Sequence, residues 1–145
     1  MAVVDAYCML RFEVMSYESF LHLVSKPSRY ISVEKNAIVK PRDSIEVSVL
    51  LCFPEVYELG MSHLGLKILY NILNRLDFVA AERCFAPWMD MEEQLRKHNQ
   101  CLLSMETQTP LRQFSFLGFS LQSELTFTNL LNVLELSDIP LMAKD

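Results

Sequence analysis

The sequence predicts an α/β fold: a doubly wound, Rossmann-like and mostly parallel sheet that is incomplete at its C-terminal end. Three observations predict it. Residues 45–53, IEVSVLLCF, begin with alternation and finish as a continuous apolar run, the pattern of a strand buried on both faces at the centre of a parallel sheet. From there to the end of the chain, strand-like and helix-like periods take turns. The first strong strand also runs into a long, chemically mixed loop, residues 54–64, at the place where open α/β sheets bind their ligands.

The elements follow in order. Residues 1–24 are apolar but irregular, and Ser16 is placed to cap a short helix through Val24, with Phe20, Leu23 and Val24 on its inner side. Lys26-Pro27-Ser28-Arg29-Tyr30 ends that helix, because the residue before a proline is pushed out of helical geometry. Residues 32–44 read as polar and extended, with Pro41 shortly before the first strand. After the loop, residues 62–75 read as a helix with Leu66, Leu69, Ile72, Leu73 and Leu76 on one face. A second strand is expected at 78–85, a polar helix at 90–99 and a short third strand at 101–104. The turn at Thr109-Pro110 leads to a strong fourth strand at 114–120. Ser123 is placed as the N-cap of a helix over 123–136, with Phe127, Leu130, Leu131 and Leu134 at helical spacing. Residues 139–142 look like the start of a fifth strand. The chain thus divides into an N-terminal helical extension, 1–25, and an α/β domain, 26–145. Right-handed crossovers place the C-terminal ends of the strands on one edge, where residues 54–63, 86–89 and 121–123 become neighbours.

Composition narrows the function classes. At 145 residues and 51% hydrophobic, the chain is long enough for one ordinary core and short for two. A net charge of -5 with no basic stripe argues against a nucleic-acid partner. No stretch approaches the apolar length of a membrane span, and Asp5, Arg11 and Glu13 interrupt what would be the core of a signal peptide. Cys8, Cys52, Cys84 and Cys101 are at least 17 residues apart, so they read as reduced, mostly buried thiols and not as zinc or iron-sulfur ligands. These features point to a cytoplasmic protein with no metal site.

Five stretches carry a family resemblance: KPSRYISVEKNAIVK, FPEVYELGMSHLGLKILYNILN, ERCFAPWMDMEEQLR, LLSMETQTPLRQF and LGFSLQSELTFTNLLNVLELSDIPL. In order and spacing they resemble the N-terminal region of a family of cobalamin-binding radical-SAM proteins. The resemblance covers about residues 26–141 and implies a cobalamin-binding-like domain that, in relatives, precedes a radical-SAM barrel. Cobalamin is therefore the implied cofactor. In domains of that type an Asp-x-His-x-x-Gly motif follows the first strand, the histidine ligating cobalt and the carboxylate tuning it. Here His63 follows the right strand, with Met61 in place of the aspartate and Leu66 in place of the glycine. Ser120 looks like the serine of a Ser-x-Leu block that lines the groove for the nucleotide tail, with Gln122 in place of its leucine. A third block, a Gly-Gly pair one strand further on, falls past Asp145, and the radical-SAM motif Cys-x-x-x-Cys-x-x-Cys is absent, so no iron-sulfur cluster and no catalytic residue are expected in this chain.

The cofactor-facing candidates are Glu58, Gly60, Ser62, His63, Trp88, Ser120 and Gln122. Each also has a plainer role open to it. His63 suits a helix start, where a neutral ring or a nearby anion is favoured. Glu55 and Glu58 suit a solvated loop or a helix cap better than an acid/base pair. Trp88 could stack on a flat macrocycle or anchor the second helix, and Ser120 could cap the next helix or receive a ligand amide.

Three functions remain open on these residues. One is a cobalamin-binding-like module, cut from a larger radical-SAM protein or acting with a separately encoded radical-SAM partner. Another is a cofactor-free structural or interaction module that kept the fold. The last is an unrelated flavodoxin-like module taking a phosphate at Ser62, disfavoured because Gly60 and Gly65 are too sparse for a phosphate loop. A sheet that stops inside its fifth strand predicts an exposed parallel edge and an uncovered helix face, to be hidden by residues 1–25, by self-association or by that partner.

Overall fold

A computed structural model describes residues 16–32 and 34–142. Three parallel strands form the sheet in the order β2-β1-β3, with β1 at Val47–Phe53, β2 at Val79–Phe85 and β3 at Phe116–Phe119. The apolar run of β1 explains its central place. Leu50 and Cys52 enter one core while Leu51 and Phe53 enter the other. A slip of one residue would exchange the two faces, and burying each leucine is worth about 1.5–3 kcal/mol, so the register is firmly specified.

Helices cover both faces. Between β1 and β2 come a single turn of helix, α1 at Tyr57–Gly60, and then α2 at Leu64–Asn74, which sets Leu66 and Tyr70 against Leu51, Phe53, Ala81 and Phe85. On the opposite face α3, Met89–His98, and α4, Thr126–Leu136, bring Met91, Leu95, Val133 and Leu136 around Leu50, Cys52 and Cys84. Tyr17, Phe20, Val24 and Tyr30 join that second core. This is the doubly wound, Rossmann-like α/β arrangement the sequence predicts. From β1 the chain winds to β2 on one side, then returns across β1 to β3 on the other. The direction reverses between β1 and β3, so the switch point lies at the ends of Phe53 and Phe119.

Several elements differ from expectation. Residues 16–24 form two consecutive 3-10 turns, Tyr17–Ser19 and Leu21–Leu23, and not a continuous helix; Ser16 does accept from the Glu18 N–H, but Leu23 is exposed. The expected strand at 101–104 is reduced to one antiparallel bridge, Leu103 to Pro110, because Met105 and Glu106 turn to bond the edge of β2. The fourth strand shortens to Phe116–Phe119 after the turn Leu111–Gln113, and residues 139–142 are not a strand. Residues 1–15, where the N-terminal extension begins, and 143–145 lie outside the described residues.

Two helices start later and face differently than their leucines suggest. Helix α2 begins at Leu64 and not at Ser62, with His63 at its cap, and buries Leu66, Tyr70 and Asn74 while Leu69, Ile72 and Leu76 are exposed. Polar tips set this rotation. The Asn74 amide donates to the Ala81 carbonyl at 2.9 Å and accepts from the Ala81 N–H at 3.0 Å, and the Tyr70 hydroxyl accepts from the Ile38 N–H at 2.7 Å. Helix α4 begins at Thr126, whose hydroxyl donates to the Ser123 carbonyl, so Ser123 caps nothing with its side chain; Phe127 and Leu131 are exposed.

Asn74 is one of two devices that close the outer edge of β2. The other is Glu106, which accepts from the Arg83 N–H and Nε at 2.7 Å each, while the Met105 N–H donates to the Arg83 carbonyl. Arg83 also donates to Glu34 at 2.8 Å and lies over the Tyr70 ring. Against the upward push of burial, the Tyr57 hydroxyl and Arg83 hold the Glu34 carboxyl below its usual range, whereas burial raises that of Glu106. The outer edge of β2 is therefore covered.

Candidate functional site

Residues 54–64 leave the sheet at the C-terminal end of β1 and are fastened to both neighbours. The Ala86 N–H, just past β2, donates to the Glu55 carbonyl at 2.9 Å, and Asn129 of α4 donates through Nδ2 to the Pro54 carbonyl at 3.0 Å. Tyr57 donates to Glu34 at 2.7 Å, and burial followed by that carboxylate pushes its hydroxyl up to about 12. Gly60 ends α1 directly beneath Phe85 and beside Phe53, where a Cβ would overlap the Phe85 ring. Glycine is required there for the close approach of helix to strand.

His63 is the N-cap of α2. Its Nδ1 accepts from the Leu66 N–H at 3.1 Å, satisfying one of the free donors of the first turn, and its ring lies 4.9 Å from that of Phe53. Gly65 leaves room for this ring: a Cβ there would stand 3.0 Å from the imidazole Cε1. Accepting at Nδ1 puts the proton of the neutral ring on Nε2. Ser62, beside it, donates its hydroxyl to the Leu59 carbonyl at 2.9 Å.

Glu58 and Trp88 meet through a residue that the loop pattern did not single out. Arg29 donates to Glu58 at 2.8–2.9 Å and sits with its guanidinium 5.3 Å from the centre of the Trp88 ring, while Lys26 reaches the same carboxylate at 3.1 Å. The Arg29 hydrogen bond, more than any other cause, lowers the Glu58 carboxyl to about 2. The Trp88 backbone N–H donates to the Tyr30 hydroxyl at 3.1 Å, fixing the start of α3 to the same N-terminal turn. Trp88 is half-exposed with Arg29 on its face.

Across β1, the Ser120 N–H donates to the Cys52 carbonyl at 2.9 Å, continuing the ladder past the end of β3, and Gln122 is exposed on the following loop. All seven candidates therefore follow strand ends on one edge, but they divide. Glu58 and Trp88 are joined through Arg29 on the β2 side, and Ser120 and Gln122 lie on the β3 side. The residues missed are Arg29, Lys26 and Asn129. The one local signal was Asn129, a polar residue inside the apolar pattern of α4; the basic pair sits in a segment that announces only a helix end.

Cobalt ligation would ask a different state of this ring. A histidine that ligates through Nε2 needs its proton on Nδ1, donated to a carboxylate. Here Nδ1 is an acceptor within the helix cap, and Met61 stands where the carboxylate would be. His63 does not fit that role. Among the described residues no three His, Cys, Asp or Glu side chains gather as metal ligands would, and no helix is long and apolar enough to cross a membrane.

The open parallel sheet, its reversal at β1 and its loop-built C-terminal edge define a Rossmann-like α/β domain. Residues 65–145, more than half of the chain, match the family described as "Radical SAM proteins, N-terminal", and the chain belongs to that family. The match begins at Gly65, immediately after the loop. No curated protein and no solved structure matches the chain.

Proposed function

We propose that this domain is a non-catalytic N-terminal module of a radical-SAM protein, one that keeps the cobalamin-binding-like frame without ligating cobalt and serves as a docking surface for the radical-SAM core. One observation carries the reading: His63 spends Nδ1 on the cap of α2. The chain's cysteine spacing, with no Cys-x-x-x-Cys-x-x-Cys, supports the non-catalytic part. Family membership supplies the occupant, since an N-terminal domain of radical-SAM proteins has a catalytic portion to meet. The exposed apolar residues Leu64, Ile68 and Ile72 of α2 supply the surface.

Mixing the purified chain with hydroxocobalamin tests this. The account predicts unchanged cobalamin absorption bands and no colour retained after desalting. Retained colour with shifted bands, abolished by His63→Ala, would restore histidine ligation and overturn the proposal.

A further inference from the structure

A cavity of about 260 Å³ opens at the end of the sheet opposite the 54–64 loop. Ser48 and Ala80, paired at the starts of β1 and β2, form its floor with Glu82, and Ile38, Ile45 and Phe114 form apolar walls. Among these residues Glu82 is unusual. It is only 8% exposed, and its carboxylate accepts from the Thr107 hydroxyl at 2.8 and 2.9 Å and from the Thr107 N–H at 3.2 Å. Among the described residues it has no ion-pair partner.

Among the described residues, the nearby cations are held by other groups. Lys40 also borders the cavity, but its ammonium donates to the carbonyls of Leu76 and Val79 at 2.6 Å each. Arg83 is held by Glu34 and Glu106. Buried carboxylates are ordinarily paired, because removing a charge from water without a partner is costly. Among the described residues Thr107 serves this carboxylate, and two oxygens with about four acceptor positions leave room for another donor.

We infer that this cavity binds a small ligand carrying an ammonium group on an apolar body. The ammonium meets the Glu82 carboxylate, and the body lies against Ile38, Ile45 and Phe114. Beside Glu82 the recess offers apolar surface at Ile38, Ile45, Ala80 and Phe114 and uncharged polar groups at Ser48, Thr107 and Gln113, a mixture that suits a small-molecule site. This site is separate from the strand-end edge and stands whether or not the docking proposal does.

The test compares benzylammonium with its neutral isostere, benzyl alcohol, titrated into the full chain at neutral pH and followed through the methyl resonances of Ile38 and Ile45. Benzylammonium should shift both methyls and bind at least about tenfold more tightly than the alcohol, and Glu82→Gln should bring the two within about twofold. If Glu82→Gln does not fold, Ile45→Trp replaces it; by filling the recess it should weaken benzylammonium binding by about tenfold or more. Equal affinity for the two compounds, shifts confined to other methyls, no shift at millimolar concentration, or binding unchanged in Ile45→Trp would each overturn the inference.

Discussion

His63 caps a helix at a position that also suggests a ligand. The same position after a buried strand that suggests a cofactor contact also starts α2, and the free N–H groups of a first helical turn need an acceptor. His63→Ala should therefore cost about 1 kcal/mol in urea denaturation, and His63→Asn, a good cap, should retain nearly all of the wild-type stability. A ligand role would give Asn no such rescue. Glu58 has a second, separable role at this scale. Its carboxyl is held at about 2 by Arg29, below the ordinary 4.5, so the ion pair stabilises the fold above the ordinary value and loses its contribution as pH falls from about 4.5 through about 2. Glu58 is exposed, so the pair's contribution is small. Carboxyl-carbon NMR should find the Glu58 midpoint at about 2, and Arg29→Ala should return it toward the ordinary range.

Among the elements, the outer edge of β2 depends on charge. Arg83 joins the strand to Glu106 and to the 30s segment through Glu34, and Glu106 is fully enclosed. Replacing Arg83 with methionine leaves a buried carboxylate without its cation, which should cost about 3–5 kcal/mol at neutral pH. Burial already raises the Glu106 carboxyl, and without Arg83 it would rise further, so the native state binds a proton the unfolded chain does not. The gap between variant and wild type should narrow from pH 7.5 to pH 5, by denaturation at both. These interactions also mark what the sequence could convey. The buried run of β1, the order of the main strands and helices, and the placing of residues 54–64 at the C-terminal end of β1 follow from local periodicity. The rotation of α2 does not, because Asn74 and Tyr70 reach backbone groups of β2 and of the segment at Ile38, and no period in α2 records those distant partners. Likewise the Glu58-Arg29-Trp88 cluster joins three segments, so the loop revealed its carboxylate but not its cation.

For the whole molecule, the frame and the surface point to different consequences. The frame places a loop-built edge at the reversal between β1 and β3, as ligand-binding α/β domains do. The surface leaves Ile68 and Ile72 of α2 half-exposed. As an isolated chain, the protein should self-associate through such faces at high concentration, and the double substitution Ile68→Lys with Ile72→Lys should shift light scattering toward the monomer. Its stability should stay within about 0.5 kcal/mol per site, because neither side chain belongs to a core. A wild-type chain that remains monomeric at high concentration would count against these faces as docking surfaces. The central claim, that His63 is a cap and not a cobalt ligand, is tested most directly by its tautomer. Long-range nitrogen-proton NMR on the chain with labelled histidine, before and after adding hydroxocobalamin, should find the His63 proton on Nε2 with Nδ1 bare, and the spectrum unchanged by the corrinoid. A proton on Nδ1, or a His63 signal that moves when hydroxocobalamin is added, would contradict the account.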